Sequence, residues 1–257
     1  MKKRHRHTLL MFLCLISPLA RSQGSVGSNA DIESRTLIDL PTAGIIPHGS
    51  IAADLDFYQH GGLLAGVTVG AFNRLTVGVS YGGTNLIGED SPAWNNMPGF
   101  NIRVRIIDET VFLPAIAVGF NSQGKEEYID SLNRYSIKSL GLYAIGSKNY
   151  RVWGFFSWHG GINYSFERAD GDDDINIFSG VEKTVGPFAS LIMEYNLGIN
   201  DSNSDALGRG RGYLNIGICF SLGSGLTLGM NFKDILKNQQ DISIGHRTIQ
   251  LEYVKSH

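Results

Sequence analysis

The sequence predicts an all-β fold, a transmembrane antiparallel up-and-down barrel of about twelve strands. Three observations carry that expectation: period-two alternation, a secretory leader with no later apolar helix, and connections that are short and long by turns. In residues 49–82, Ile51, Ala53, Leu55 and Phe57 share one face, while Ala52, Asp54, Asp56 and Tyr58 share the other. The next two segments repeat this, with Ala65, Val67, Val69 and Ala71 opposite Gly66, Thr68 and Gly70, and Leu75, Val77, Val79 and Tyr81 opposite Thr76, Gly78 and Ser80. An apolar face backed by a small, polar one suits a sheet between unlike media. A soluble sandwich would turn the apolar faces into a core; a membrane barrel turns them to lipid and the polar faces to a lumen.

The leader narrows the compartment. Lys2, Lys3, Arg4 and Arg6 precede an apolar run from Leu9 to Ile16, and Ala20-Arg21-Ser22 offers small residues for cleavage before Gln23. This is the pattern of a signal peptide over residues 1–22. Its apolar run falls well short of the ~20 residues of a spanning helix. Cys14 follows Met11-Phe12-Leu13 instead of small residues and sits too early for a lipoprotein site. Cys219 is then the one cysteine left, so no internal disulfide is expected. Cleavage removes five basic residues and leaves 17 against 24 acidic ones, a formal charge of −7, which argues against a nucleic-acid partner. No later stretch is long and apolar enough for a spanning helix, so insertion must be through strands.

In chain order, residues 23–48 read as a periplasmic N-terminal segment, polar over 23–36 and threading under or into the barrel mouth over 37–48. The barrel follows over 49–257. After the first three strands, strands are expected at about 100–108, 111–120, 136–147, 153–166, 175–184, 188–197, 212–220, 226–233 and 247–254. Connections two, four, six, eight and ten are short; three, five, seven, nine and eleven are longer; the first alone breaks the rule. Outer-membrane barrels pair short periplasmic turns with long external loops and have an even strand number, both termini then lying at the short-turn end. Trp153, Phe166, Tyr195, Phe220, Phe232 and Tyr253 lie where an interfacial aromatic girdle would. The expected location is the bacterial outer membrane.

Most mid-strand charges fall opposite the apolar face, where they escape the ~2–4 kcal/mol cost of a cation on the lipid side. Asp54, Asp56, Arg103, Arg105, Glu182, Glu194, Lys233 and Glu252 therefore form a candidate lumen charge cluster, readable as a selective pore wall or, preferably, as paired charges filling a narrow barrel. Ser157 and His159 could join Glu194 as nucleophile, base and orienter, but residues two apart on a strand meet awkwardly. Asp170-Gly171-Asp172-Asp173-Asp174 resembles the start of a calcium loop, yet Ile175 stands where its glycine belongs; an acidic outer loop bridged to lipid phosphates is the plainer reading. Gly208-Arg209-Gly210-Arg211-Gly212 could meet lipopolysaccharide phosphates. No catalytic residue, metal site or cofactor is expected.

One stretch carries a family resemblance. Leu37-Ile38-Asp39-Leu40-Pro41-Thr42-Ala43 followed by Gly49, with Pro114-Ala115-Ile116-Ala117-Val118-Gly119 and Gly124, resembles the YjbH-type outer-membrane barrels over residues 35–125. That resemblance implies a non-enzymatic role in export or surface display of an extracellular polysaccharide, with lipid, lipopolysaccharide, polysaccharide or periplasmic export components as partners. A general small-solute porin is the alternative, and an outer-membrane hydrolase comes third.

Overall fold

Alternation along each strand becomes a closed wall once the first strand finds the last. The computed structural model describes residues 24–203, 206–240 and 245–255; the expected leader, 1–22, lies outside them. Its strands are β1 (Ile51–Tyr58), β2 (Gly62–Ala71), β3 (Leu75–Thr84), β4 (Ala93–Trp94), β5 (Gly99–Ile107), β6 (Ala115–Asn121), β7 (Lys125–Ile129), β8 (Arg134–Ile137), β9 (Gly141–Arg151), β10 (Phe155–Tyr164), β11 (Asn176–Thr184), β12 (Ala189–Asn196), β13 (Tyr213–Gly223), β14 (Leu226–Lys233) and β15 (His246–Lys255).

Each barrel strand pairs antiparallel with the next, and β1 closes on β15 from Ile51↔Lys255 to Phe57↔Ile249. Setting aside the loop strands β4, β7 and β8, twelve strands form the wall, and closure leaves no unpaired edge. Turns 72–74, 108–114, 152–154, 185–188 and 224–225 share one end with the start of β1 and the end of β15. Connections 85–98, 122–140, 165–175, 197–212 and 234–245 share the other end, with the short 59–61 among them. By the short-turn rule the first end is periplasmic and the second external.

The outward face is the apolar one. Val67, Val69, Val79, Ile102, Trp158, Ile162, Leu191, Met193, Ile216, Met230 and Ile249 all stand exposed on it. In water this continuous belt would be severely unfavourable; in hydrocarbon it is the natural surface. Lys148 and Lys183 lie on that face near the periplasmic end. Lys148 turns its ammonium onto the carbonyls of the 108–114 turn, and Lys183 onto Val152 O and Trp153 O, both 2.7 Å away.

Two expected strands differ from those observed. The fifth was expected over 111–120, but β6 starts only at Ala115. Val111, Phe112 and Leu113 stand out in the turn, Phe112 91% exposed, where an apolar run reads like a strand but has no ladder partner. The sixth was expected over 136–147, whereas β9 is Gly141–Arg151; residues 125–137 instead pair as the separate hairpin β7–β8 inside the 122–140 connection. A reversal at Asn133, with φ +49°, closes that hairpin, and Gly141, with φ +62°, restarts the wall. The turn expected at 148–151 is 152–154, and it carries Trp153, 97% exposed.

Candidate functional site: the occupied lumen

The lumen is filled by the chain's own N-terminal segment. Residues 24–48 enter at the periplasmic end, where Ser28 N and Asn29 N donate to Gly186 O (3.1 Å) and Pro187 O (3.3 Å). The segment climbs, reverses at Leu37–Leu40 through Leu37 N to Leu40 O (2.9 Å), and descends to Gly49, whose N–H donates to Gly70 O. Pro41 and the missing strand period explain why this stretch forms a tight turn instead of a thirteenth wall strand.

Its apolar side chains pack into three patches on the inner wall. Leu40 and Ala43 meet Ala115, Ala117, Tyr143, Ile145 and Phe178; Val26, Leu37 and Ile38 meet Ile192 and Cys219; Ile32 and Ile46 meet Ala52 and Val254. Wall glycines give the segment room. A Cβ at Gly180 would collide with Leu37 Cδ1, and one at Gly70 with the carbonyls of Ile46 and Pro47.

The eight charges of the candidate cluster do line this lumen, yet no two of them form an ion pair with each other. Asp54 and Glu252 both take Arg35 of the inner segment, at 2.6 and 2.5 Å. Lys233 reaches Asp39 of the segment (2.8 Å) and Glu126 of β7 (2.9 Å). Asp56 takes Lys125 (2.6 Å). Arg105 pairs with Glu33 and donates to Ala43 O (2.8 Å). Arg103 grips backbone instead, donating to Arg35 O (2.9 Å), Gly44 O (2.7 Å) and the Tyr143 hydroxyl (3.0 Å). Glu194 has no cation among the described residues. Its carboxylate accepts the N–H groups of Ile38 (3.0 Å), Asp39 (2.9 Å) and Leu40 (3.1 Å), and the Asn215 amide (2.8 Å). Glu182 has the Ser190 and Ser34 hydroxyls as polar neighbours. Alternation finds the wall charges; it cannot find Glu33, Arg35, Asp39, Lys125 or Glu126, which sit outside the barrel strands and arrive only through tertiary folding.

The other constellations resolve differently. Ser157, His159 and Glu194 do not assemble: Ser157 Oγ donates to Asn149 Oδ1 (2.5 Å), His159 Nδ1 meets Ser147 Oγ (2.7 Å), and Glu194 is engaged by the segment's backbone. Successive inward residues are offered to different cross-strand partners, so spacing of two separates them. Asp170 and Asp172 are buried and do not face lipid. Arg134, 0% exposed, pairs with Asp170 and Asp201 at 2.6 Å each; Lys138 also holds Asp170, and Asp172 accepts Ser202 N. Burial alone would raise Asp170, but the Lys138 and Arg134 hydrogen bonds outweigh it and hold the carboxyl below its ordinary value. In the 208–212 loop, Arg209 N and Arg211 N both donate to Asn238 Oδ1.

Two spaces lie beside the segment among the described residues. One, of about 160 Å³, runs along the wall of β1, β2, β3 and β5 past Asp54, Thr68, Ser80, Asn101 and Arg103. The other, of about 340 Å³, opens at the periplasmic end between Arg105, Ser157, His159, Glu182 and the segment.

No family model matches the chain, and no curated protein matches it. Among solved structures it is similar to a KdgM porin in complex with disordered oligogalacturonate, at 12% identity over 81% of this chain and 99% of that one, with a TM-score of 0.51. It also matches a KdgM porin at 11% identity over 81% and 99% of the two chains (TM-score 0.49) and a NanC porin at 6% over 80% and 99% (TM-score 0.43). The expected YjbH-type resemblance is overturned, because no family model matches and the fold is similar to that of the KdgM porin seen with oligogalacturonate instead. The motifs behind it belong largely to the inner segment and to β6, where packing against this lumen accounts for them. The chain is a twelve-stranded outer-membrane β-barrel, porin-like in fold, with its own N-terminal segment inside.

Proposed function

We propose that this barrel is a porin for small, neutral, polar solutes, and that residues 24–48 set the width of its path. The observation that carries the reading is the free wall of β1, β2, β3 and β5. There Gly66, Thr68, Gly78, Ser80 and Asn101 line a polar space beside the segment, the kind of surface a hydrated solute can slide along. The fold likeness to a porin recorded with an oligogalacturonate supports a carbohydrate-sized solute. Arg35, Arg103, Arg105, Lys125 and Lys233 are engaged by carboxylates or carbonyls, which favours a neutral solute over an acidic one. The same segment stands across any route for a polymer, so the porin reading replaces export or display of a polysaccharide.

The test is conductance of the purified chain in planar bilayers. A small steady conductance is expected, with uptake of neutral sugars in a liposome-swelling assay, and Glu194→Ala should enlarge it severalfold by loosening the segment. If both wild type and Glu194→Ala stay silent and sugar-tight, the porin reading is wrong.

A further inference from the structure

We propose that the periplasmic chamber is a binding site for one unit of a small neutral saccharide. Its volume, about 340 Å³, lies within the ~300–1,000 Å³ range of small-molecule sites. The walls present the mixed chemistry that a ring of hydroxyls requires. Across the register, Ser157 faces Asn149 on β9 and Glu182 on β11, and His159 faces Ser147. Phe155, Ser157 and His159 follow one another inward along the same face of β10.

His159 is the telling residue. It is 5% exposed, and its Nδ1 lies 2.7 Å from Ser147 Oγ. Ser147 Oγ accepts the Ala43 N–H at 2.8 Å, so its own proton is free to go to Nδ1. With the Ser147 proton on Nδ1, the imidazole hydrogen sits on Nε2, on the side of the ring away from Ser147. That N–H is buried and has no partner among the described residues. A buried donor without an acceptor is unfavourable, and a small turn of the ring, which forms part of the chamber wall, would present it to a ligand hydroxyl. Glu182 supplies an acceptor, Ser157 a hydroxyl, and Phe155 at the rim an apolar ring face for the C–H face of a sugar.

Charge narrows the class. Arg105 is taken by Glu33, and Glu109 by Lys148 and Asn149, which leaves Glu182 as the chamber's carboxylate without a cation. An acidic sugar would bring its own charge beside a buried carboxyl with Arg105 already engaged; a neutral one would not. Among the described residues no group of three metal-ligating side chains stands together, so a metal ion is not the fitting occupant.

This inference rests on the porin reading only for how the ligand arrives, and direct binding tests it apart from transport. The full chain in detergent is titrated with maltose, followed by saturation-transfer NMR and calorimetry. Saturable binding is expected. Phe155→Ala, at the exposed rim, and His159→Ala should each weaken it about tenfold, with His159→Gln, which restores a donor, recovering part. Galacturonate should bind more weakly than maltose. Absence of maltose binding, equal binding by the Phe155→Ala variant, or tighter binding of galacturonate would overturn the site. Binding that persists in a chain without conductance would sink the porin reading and leave the site standing.

Discussion

The outer mouth and the middle of the lumen are both closed, by different chemistry. At the mouth, loops from three connections and the ends of β14 and β15 share buried side-chain charges: Arg134 between Asp170 and Asp201, Lys138 on Asp170, and Glu126 between Lys233 and His246. In the lumen, Glu194 and Arg103 hold the backbone of residues 24–48, through three N–H groups and two carbonyls, while Asp54, Glu252 and Lys233 pair with its side chains Arg35 and Asp39. A loop closure built on side chains depends on particular pairs. The backbone grips tolerate many side chains, provided each wall group keeps its place. If the two closures are independent, each can be released alone.

The largest effect is expected at Glu194. Glu194→Ala leaves three buried N–H groups without an acceptor, at ~1–3 kcal/mol each. Added protease should then cut within residues 24–48 while the outer loops stay resistant; simultaneous release of both would refute independence. Arg134→Ala should do the converse. Removing one partner of a buried pair costs ~3–5 kcal/mol, so the loops at 122–140 and 165–175 should become cleavable. The temperature at which the folded gel band shifts should fall, with the inner segment still protected.

Third, Gly180→Val should push against Leu37 and cost ~1–3 kcal/mol by overpacking, read as a lower band-shift temperature. Gly66→Ala, which faces only ordinary contacts, should leave that temperature nearly unchanged.

Acid should sharpen the comparison further. Burial would raise the Glu126 carboxyl, but Lys233 and His246 outweigh it and bring it down to about 2 from the usual 4.5. A depressed carboxylate contributes stability fully above about 4.5, and that contribution is lost as pH falls towards 2. Protease resistance of the β7–β8 hairpin should therefore decline between pH 4.5 and 2, and the decline should flatten in Glu126→Gln. The smallest effect belongs to Ser157→Ala, which loses one exposed bond to Asn149; neither closure should respond.

Much of this molecule is legible one residue at a time. Alternation assigns a face to nearly every strand residue, since consecutive side chains must point opposite ways whatever surrounds them. Val67, Ile102 and Met193 are thus outward, and Arg103, Glu194 and Glu252 inward, before any contact is known. The faces misplaced the starts of β6 and β9, because Val111-Phe112-Leu113 and residues 136–140 satisfy the same local pattern without belonging to the wall. Strand membership requires a ladder partner, and partners are remote in sequence. The eight inward charges were found, yet their counterparts were not. Arg35 meets Glu252 across 217 positions, and no local period links such residues.

The sequence by itself determined a closed barrel with an apolar outside and a charged inside, because lipid and water impose opposite faces on a period-two chain. Only the tertiary structure decided that the inside would be occupied, by which segment, and through which bonds. Burial of a charge demands a partner but does not say from where in the chain that partner comes.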